Sequence, residues 1–137
     1  MRAIAAALIA SAVLTSAPAA QTKPAKTFDI YLSDTEGGKA TLFVSPSGES
    51  VLVDTGNPNP RDTDRIMAML AEAGVKEIDH LILTHYHVDH VGGLLELAKR
   101  VPIKHYVDHG PSVEEREQVQ GFQAAYAELR GKAKHTV

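Results

Sequence analysis

Apolar and polar residues alternate at the start of the ordered pattern, with Phe28, Ile30 and Leu32 interleaved with Asp29, Tyr31 and Ser33. A period of two predicts a strand, and places Phe28, Ile30 and Leu32 on its buried face. Glu36, Gly37 and Gly38 then turn the chain. Residues 40–45 and 50–53 read as two further strands around Pro46, Ser47 and Gly48, a hairpin by composition. The period then changes. From Asp62 to Ala73 the apolar positions Ile66, Met67, Met69, Leu70 and Ala73 follow helical spacing, with Gly74 as the stop and the two methionines as core. Ile78 to Thr84 is a nearly continuous apolar run, the pattern of a buried strand. Leu94, Leu95 and Leu97 belong to a helix that ends before Pro102, and Ile103 to Val107 form another strand. Ser112 and Glu115 have capping-box spacing and open a helix running to about Arg130, before Gly131. Strand and helix alternate after an opening antiparallel set, which predicts an α/β layered domain.

The first 20 residues carry a different pattern. Arg2, an apolar run from Ala3 to Leu14 and the small residues Ala17-Pro18-Ala19 make a secretory signal peptide. Ser11, Thr15 and Ser16 interrupt the run before the roughly 18 apolar residues that a membrane anchor needs. Residues 21–26 are then a polar linker, and residues 27–137 one domain with no integral membrane segment in the mature chain. The expected address is the periplasm or the exterior. The absence of cysteine excludes lipid attachment through a cysteine, and any disulfide. The net charge is mildly negative at −3, and Lys99, Arg100, Lys104, Lys132 and Lys134 are scattered. Such cations solubilise a surface more often than they grip a phosphate backbone, so a nucleic-acid partner is possible but not favoured.

The chemistry concentrates at LILTHYHVDHVGG, residues 81–93, where the buried strand ends in His85, His87, Asp89 and His90. Neutral imidazoles and a carboxylate are the donors that a zinc-like ion takes. A polar loop behind a buried strand can also be no more than a solvated turn. The spacing argues for ligands. His85 and His87 are two apart, so an extended chain sends both rings to one side, where they can share one ion. Asp89 and His90 follow where the backbone turns into a helix, which aims them at a second ion. Gly92 and Gly93 let that first helical turn approach its neighbours closely.

His-x-His-x-Asp-His behind an apolar strand, with paired glycines following, resembles the signature of the metallo-β-lactamase fold superfamily. The hairpin ATLFVSPSGESVLVDTG, residues 40–56, is similar to that family's opening strands and Asp-Thr-Gly turn. The stretch from Tyr31 to Gly56 is also similar, less closely, to the metallo-β-lactamase-like domain of DNA-uptake competence proteins. The resemblance implies His85 and His87 on one metal, Asp89 and His90 on a second, and Asp54 as a buried residue that braces the ligand loop by hydrogen bonds. Asp54 also reads as a turn residue, since Asn57, Pro58, Asn59 and Pro60 continue a turn. Two divalent ions are implied, zinc first, with manganese or iron acceptable to the same donors. The implied activity is a secreted metal-dependent hydrolase in which metal-activated water or hydroxide attacks a lactam, lactone, thioester or phosphoester. Asp89 would also orient that nucleophile. The substrate is a small molecule or a phosphoester.

Members of that family are αββα sandwiches whose remaining ligands lie in later segments, and no counterpart of those ligands is evident up to Val137. The expectation is therefore the N-terminal half of the sandwich, incomplete as given. The alternative is a noncatalytic metal-binding remnant, or a truncated fragment without activity of its own.

The other histidines read differently. His80 precedes a strand and is expected at a solvated edge, and His105 is expected as a partly buried imidazole within one. His109 follows the strand ending at Val107 and should emerge on the same rim as His85, a position from which it can line a site. His135 lies in a segment without a supporting motif and is not assigned to the site.

Overall fold

The computed structural model describes residues 26–137, so the expected leader and all of the linker except Lys26 lie outside the described residues. Within that range six strands form one mixed sheet in chain order. β1 (Asp29–Leu32), β2 (Thr41–Val44) and β3 (Ser50–Val53) are antiparallel, joined by short turns. β4 (His80–Ile82), β5 (His105–Val107) and β6 (Lys134–Thr136) continue parallel to β3. The helices supply the crossovers: α1 (Pro60–Glu72) before β4, α2 (Val88–Val91) and α3 (Leu94–Arg100) before β5, and α4 (Glu117–Arg130) before β6. Parallel connections that advance along a sheet in one direction with the usual right hand lie on one side of it. The expected layered α/β fold is what the structure shows, as one sheet and one helical layer.

Directly paired residues share a face. One row therefore crosses the whole sheet: Tyr31, Leu42, Leu52, Leu81, Tyr106 and His135. Leu42, Leu52 and Leu81 are fully buried and join Ile66, Leu70, Leu94, Leu97 and Tyr126 of the helices in one core cluster. Each such leucine contributes about 2 kcal/mol by leaving water. The expectation for β1 is reversed. Its partner row places Tyr31 on the core side, and leaves Phe28, Ile30 and Leu32 exposed at 58, 58 and 78%. Both alternating sets of β1 contain large apolar side chains, so the register with β2 decides the face, and Leu42 draws Tyr31 inward.

α1 begins two residues earlier than its apolar spacing indicates. Asn59 caps it, its Oδ1 accepting from the Asp62 backbone N–H at 2.8 Å, and Pro60 takes the first helical position. Gly74 closes it at φ +71°, with the Val75 N–H reaching the Leu70 carbonyl at 2.9 Å. Met69 is buried and Met67 packs against the core, as expected. α4 starts later than expected. Ser112 Oγ accepts from the Glu114 N–H at 3.0 Å, so it shapes a local turn, and the helix opens only at Glu117. β6 answers to no expectation, being three residues long and rich in polar side chains.

Candidate metal centre at the carboxyl ends of the parallel strands

β3, β4 and β5 point their carboxyl ends at one rim of the sheet, where ligands collect in open α/β sheets. Asp54 leaves β3 with φ +61°, in the left-handed region that Asp tolerates better than most residues, and its carboxylate is fully buried. Oδ1 accepts from the Thr84 N–H at 2.8 Å, and Oδ2 accepts from the Thr84 hydroxyl at 2.7 Å and from His90 Nδ1 at 2.8 Å. Asp54 thus spans the exit of β4 and the start of the next helix. The next two residues reinforce it. Thr55 donates its N–H to the His90 carbonyl at 2.7 Å, and Gly56 accepts from the Gly93 N–H at 3.3 Å.

The paired glycines have the role their position suggested. A Cβ on Gly92 would run into Pro58, and one on Gly93 into the Thr55 carbonyl oxygen. A third glycine, Gly38 in the turn after β1, faces the Asp89 carbonyl oxygen in the same way. The Lys39 N–H donates to that oxygen at 3.2 Å.

The structure gathers the three imidazoles of the loop. The His85 ring lies 3.9 Å from His90 and 4.6 Å from His87, centroid to centroid. Asp89 Oδ2 is 3.6 Å from His90 Nε2. Thr84 Oγ1 lies 3.1 Å from His85 Nδ1. Since the single hydroxyl hydrogen goes to Asp54, His85 Nδ1 is the donor in that contact and Nε2 keeps its lone pair. His90 Nδ1 must likewise donate, because the carboxylate only accepts, so His90 Nε2 is also free. Burial, followed by the neighbouring His90 and His87, lowers the pKa of His85. That favours the neutral ring, the form that binds a metal.

The donor chemistry therefore suits a divalent ion. The positions are less advanced: among the described residues no three His, Asp or Glu side chains are grouped about one point as a ligand set. The rings lie against one another, and His87 is half-exposed and turned to Glu114, with Nε2 3.2 Å from Oε1. Side-chain rotations are needed to bring the four groups onto common centres.

His109 is exposed, lies with its ring tilted 4.7 Å from that of Tyr86, centroid to centroid, and lines a depression with His85, His87, Ser112 and Glu114. On the other side of His87 and Asp89, an apolar groove is walled by Val88, Val91, Leu95 and Phe122. His80 departs from its expected place. β4 lies between β3 and β5, so His80 is interior to the sheet, with Nδ1 2.9 Å from His105 Nδ1 and Nε2 2.9 Å from Glu49. His105 is buried, as expected, and its Nε2 meets Thr136 Oγ1 at 2.9 Å. His135 turns away from the loop, to Asp108 at 2.8 Å. Thr84 and Glu114 were not singled out in the sequence. Thr84 sits beside His85 and could have been suspected, whereas Glu114 is 27 positions from His87 and gave no local signal.

A family model described as the Metallo-beta-lactamase superfamily matches residues 34–136. An atrochrysone carboxyl ACP thioesterase of Aspergillus terreus is 35% identical over 65 residues, which are 47% of this chain and 20% of that protein. Ribonuclease Z of Methanopyrus kandleri is 41% identical over 64 residues, 47% of this chain and 21% of that protein. The matched segment thus spans about a fifth of the length of these curated relatives. Among solved structures, BJP-1, a subclass B3 metallo-beta-lactamase of Bradyrhizobium japonicum, aligns with a TM-score of 0.47 at 28% identity, covering 60% of this chain and 30% of that one.

Proposed function

The chain belongs to the metallo-beta-lactamase superfamily, and from that premise we propose that it is part of an exported metal-dependent hydrolase acting on a lactam, lactone, thioester or phosphoester. The observation that carries this reading is the pair of oriented rings: Asp54 and Thr84 occupy the outward nitrogens of His90 and His85, leaving an Nε2 lone pair on each. His85 and His87 would hold one divalent ion, and Asp89 and His90 a second. Zinc suits these donors best, and manganese or iron accept them too. When bound, such ions supply Lewis acidity and lower the pKa of water.

The chain's own residues do the rest. Asp89, a half-exposed carboxylate on the first turn after the loop, orients the attacking water and accepts its hydrogen bond. Asp54 keeps the loop against the sheet. The groove of Val88, Val91, Leu95 and Phe122 borders His87 and Asp89 and receives an apolar part of the substrate. That lining favours a carbonyl substrate with an apolar body over a nucleic acid, in line with the net charge of −3. Similarity to an ACP thioesterase supports a thioester, and similarity to a ribonuclease supports a phosphoester. The basic, apolar and small-residue pattern of residues 1–20 supports export to the periplasm or the exterior. Among the described residues no helix is long and apolar enough to cross a membrane.

A second reading keeps the four donors His85, His87, Asp89 and His90 as a metal-binding module without catalysis. One experiment separates the two. Zinc content and affinity are measured for the chain and for His85→Ala and His87→Ala, alongside hydrolysis of a chromogenic lactam, a lactone, an acyl thioester and a bis-aryl phosphodiester. Zinc binding that falls in both variants, with turnover of one substrate class, supports the hydrolase. Zinc binding without turnover supports the module, and unchanged zinc content in both variants rejects the ligand assignment.

A further inference from the structure

The third imidazole of the loop has an outward partner as well. Glu114 stands on the irregular strap of residues 111–116 that joins the β5 rim to α4, and its Oε1 lies 3.2 Å from His87 Nε2. This contact is held on several sides. The Glu114 N–H donates to Ser112 Oγ at 3.0 Å, and its carbonyl accepts from Gln120 Nε2 at 2.7 Å, so both backbone groups of the residue are fixed. Arg116 Nε takes the other carboxylate oxygen at 2.7 Å, which leaves Oε1 to the ring. The root of the strap is tied to the imidazole loop itself. Tyr86, between His85 and His87, donates its buried hydroxyl to the Gly110 carbonyl at 2.7 Å.

A carboxylate can only accept, so His87 Nε2 carries the hydrogen and Nδ1 carries the lone pair. Asp54 does the same to His90, with the nitrogens exchanged. We infer that Glu114 is a positioning residue for the metal centre: by accepting from Nε2 it fixes the tautomer of His87 and leaves Nδ1 as the nitrogen with a lone pair for a ligand. The inference rests on the proposed metal-binding role of His87. It adds the strap to the elements that orient the rings, since each of the three then has one nitrogen held by an oxygen and one with a lone pair.

The test uses the full chain, its Glu114→Ala and Glu114→Gln variants, and Glu115→Ala as an exposed control on the same strap. Long-range proton–nitrogen NMR reads the His87 tautomer without metal, at a pH well above the ordinary imidazole pKa of about 6.5. Competition with a chromophoric chelator reads zinc affinity. The expected results are a single Nε2–H tautomer in the parent chain, mixed tautomers in Glu114→Ala, and zinc affinity lower in that variant by roughly 10- to 100-fold. Glu114→Gln, whose amide oxygen still accepts, recovers most of the tautomer preference, and Glu115→Ala changes neither readout. An Nδ1–H tautomer in the parent chain, or identical tautomer populations in parent and Glu114→Ala, overturns the inference. Tighter zinc binding in Glu114→Ala also overturns it. A chain that binds no zinc rejects the metal reading, while the tautomer comparison still decides what Glu114 does to His87.

Discussion

The Asp54 carboxylate and the His90 imidazole, 36 residues apart in the chain, are joined by a 2.8 Å hydrogen bond. The same carboxylate takes both donors of Thr84, so Asp54→Ala strands three polar groups at the rim. Unsatisfied buried donors cost about 1–3 kcal/mol each, and partial access to water softens the sum to about 3 kcal/mol. Urea unfolding measures this as a lower midpoint. Asp54→Asn keeps a side chain that tolerates positive φ and retains one acceptor, so it loses less. Equal midpoints for Asp54→Ala and the parent would show that the brace has no energetic weight.

Gly93 and Gly121 should respond in opposite directions to alanine. At Gly93 a Cβ meets the Thr55 carbonyl, backbone that cannot yield cheaply, so Gly93→Ala destabilises by about 1–3 kcal/mol. Gly121 lies within α4 with nothing near its missing Cβ, and Gly121→Ala stabilises by about 0.5–1 kcal/mol through helix propensity. Thermal melts of the two variants give the signs directly.

Stability should fall on mild acidification. Burial, then the charges of Lys134, His80 and His135, lower the pKa of His105, so the unfolded chain binds a proton more readily than the folded one. The contribution is fully present above the unfolded value of about 6.5 and is lost as pH falls below it toward the folded value. Melting temperatures from about pH 7.5 to 5 should decline accordingly, and His105→Gln should flatten the decline. Flattening will be partial, because His85 is lowered too. An unchanged slope in His105→Gln would contradict the assignment.

These cases show where the sequence was legible. The imidazole loop could be read because its donors fall within six consecutive positions, and Gly92 and Gly93 because close approach is a local demand. Asp54 could be suspected only through resemblance, since its partners Thr84 and His90 are 30 and 36 residues away. The inward face of β1 is not legible in its alternation, because Tyr31 and Ile30 are both apolar enough to be buried and pairing with Leu42 decides between them. The interior position of His80 is not legible either, because the sequence does not state which strands flank β4. Ser112-x-x-Glu115 satisfies a capping pattern, yet the Ser112 hydroxyl is taken by Glu114, one residue earlier. β6 escaped notice because Lys134-His135-Thr136 has no apolar alternation; it is recognised only by its pairing with β5.

That pairing has a buried polar anchor, which gives a last prediction. Asp108 accepts from the Tyr126 hydroxyl at 2.8 Å and from His135 Nε2 at 2.8 Å, linking β5, α4 and β6. Burial acts to raise the Asp108 pKa, and the Tyr126 hydroxyl, the Gly110 N–H and His135 together bring it below the ordinary carboxylate value. Tyr126→Phe keeps the ring in the core and removes one bond to a charged acceptor, at a cost of about 1.5–3 kcal/mol. Guanidinium unfolding should register that loss with an unchanged slope. No shift in midpoint would mean that Asp108 finds a substitute donor.

Gathering every helix on one side of the sheet leaves Ile30, Phe43 and Val51 on the other, in a row that continues through His80 and His105. The imidazole loop belongs to neither broad side; it follows the carboxyl end of β4, at the rim of the sheet. Whatever is laid flat against the uncoated side can shield its carbon from water without closing the entrance to the imidazole loop, so cover for that face and access to the chemistry are geometrically independent.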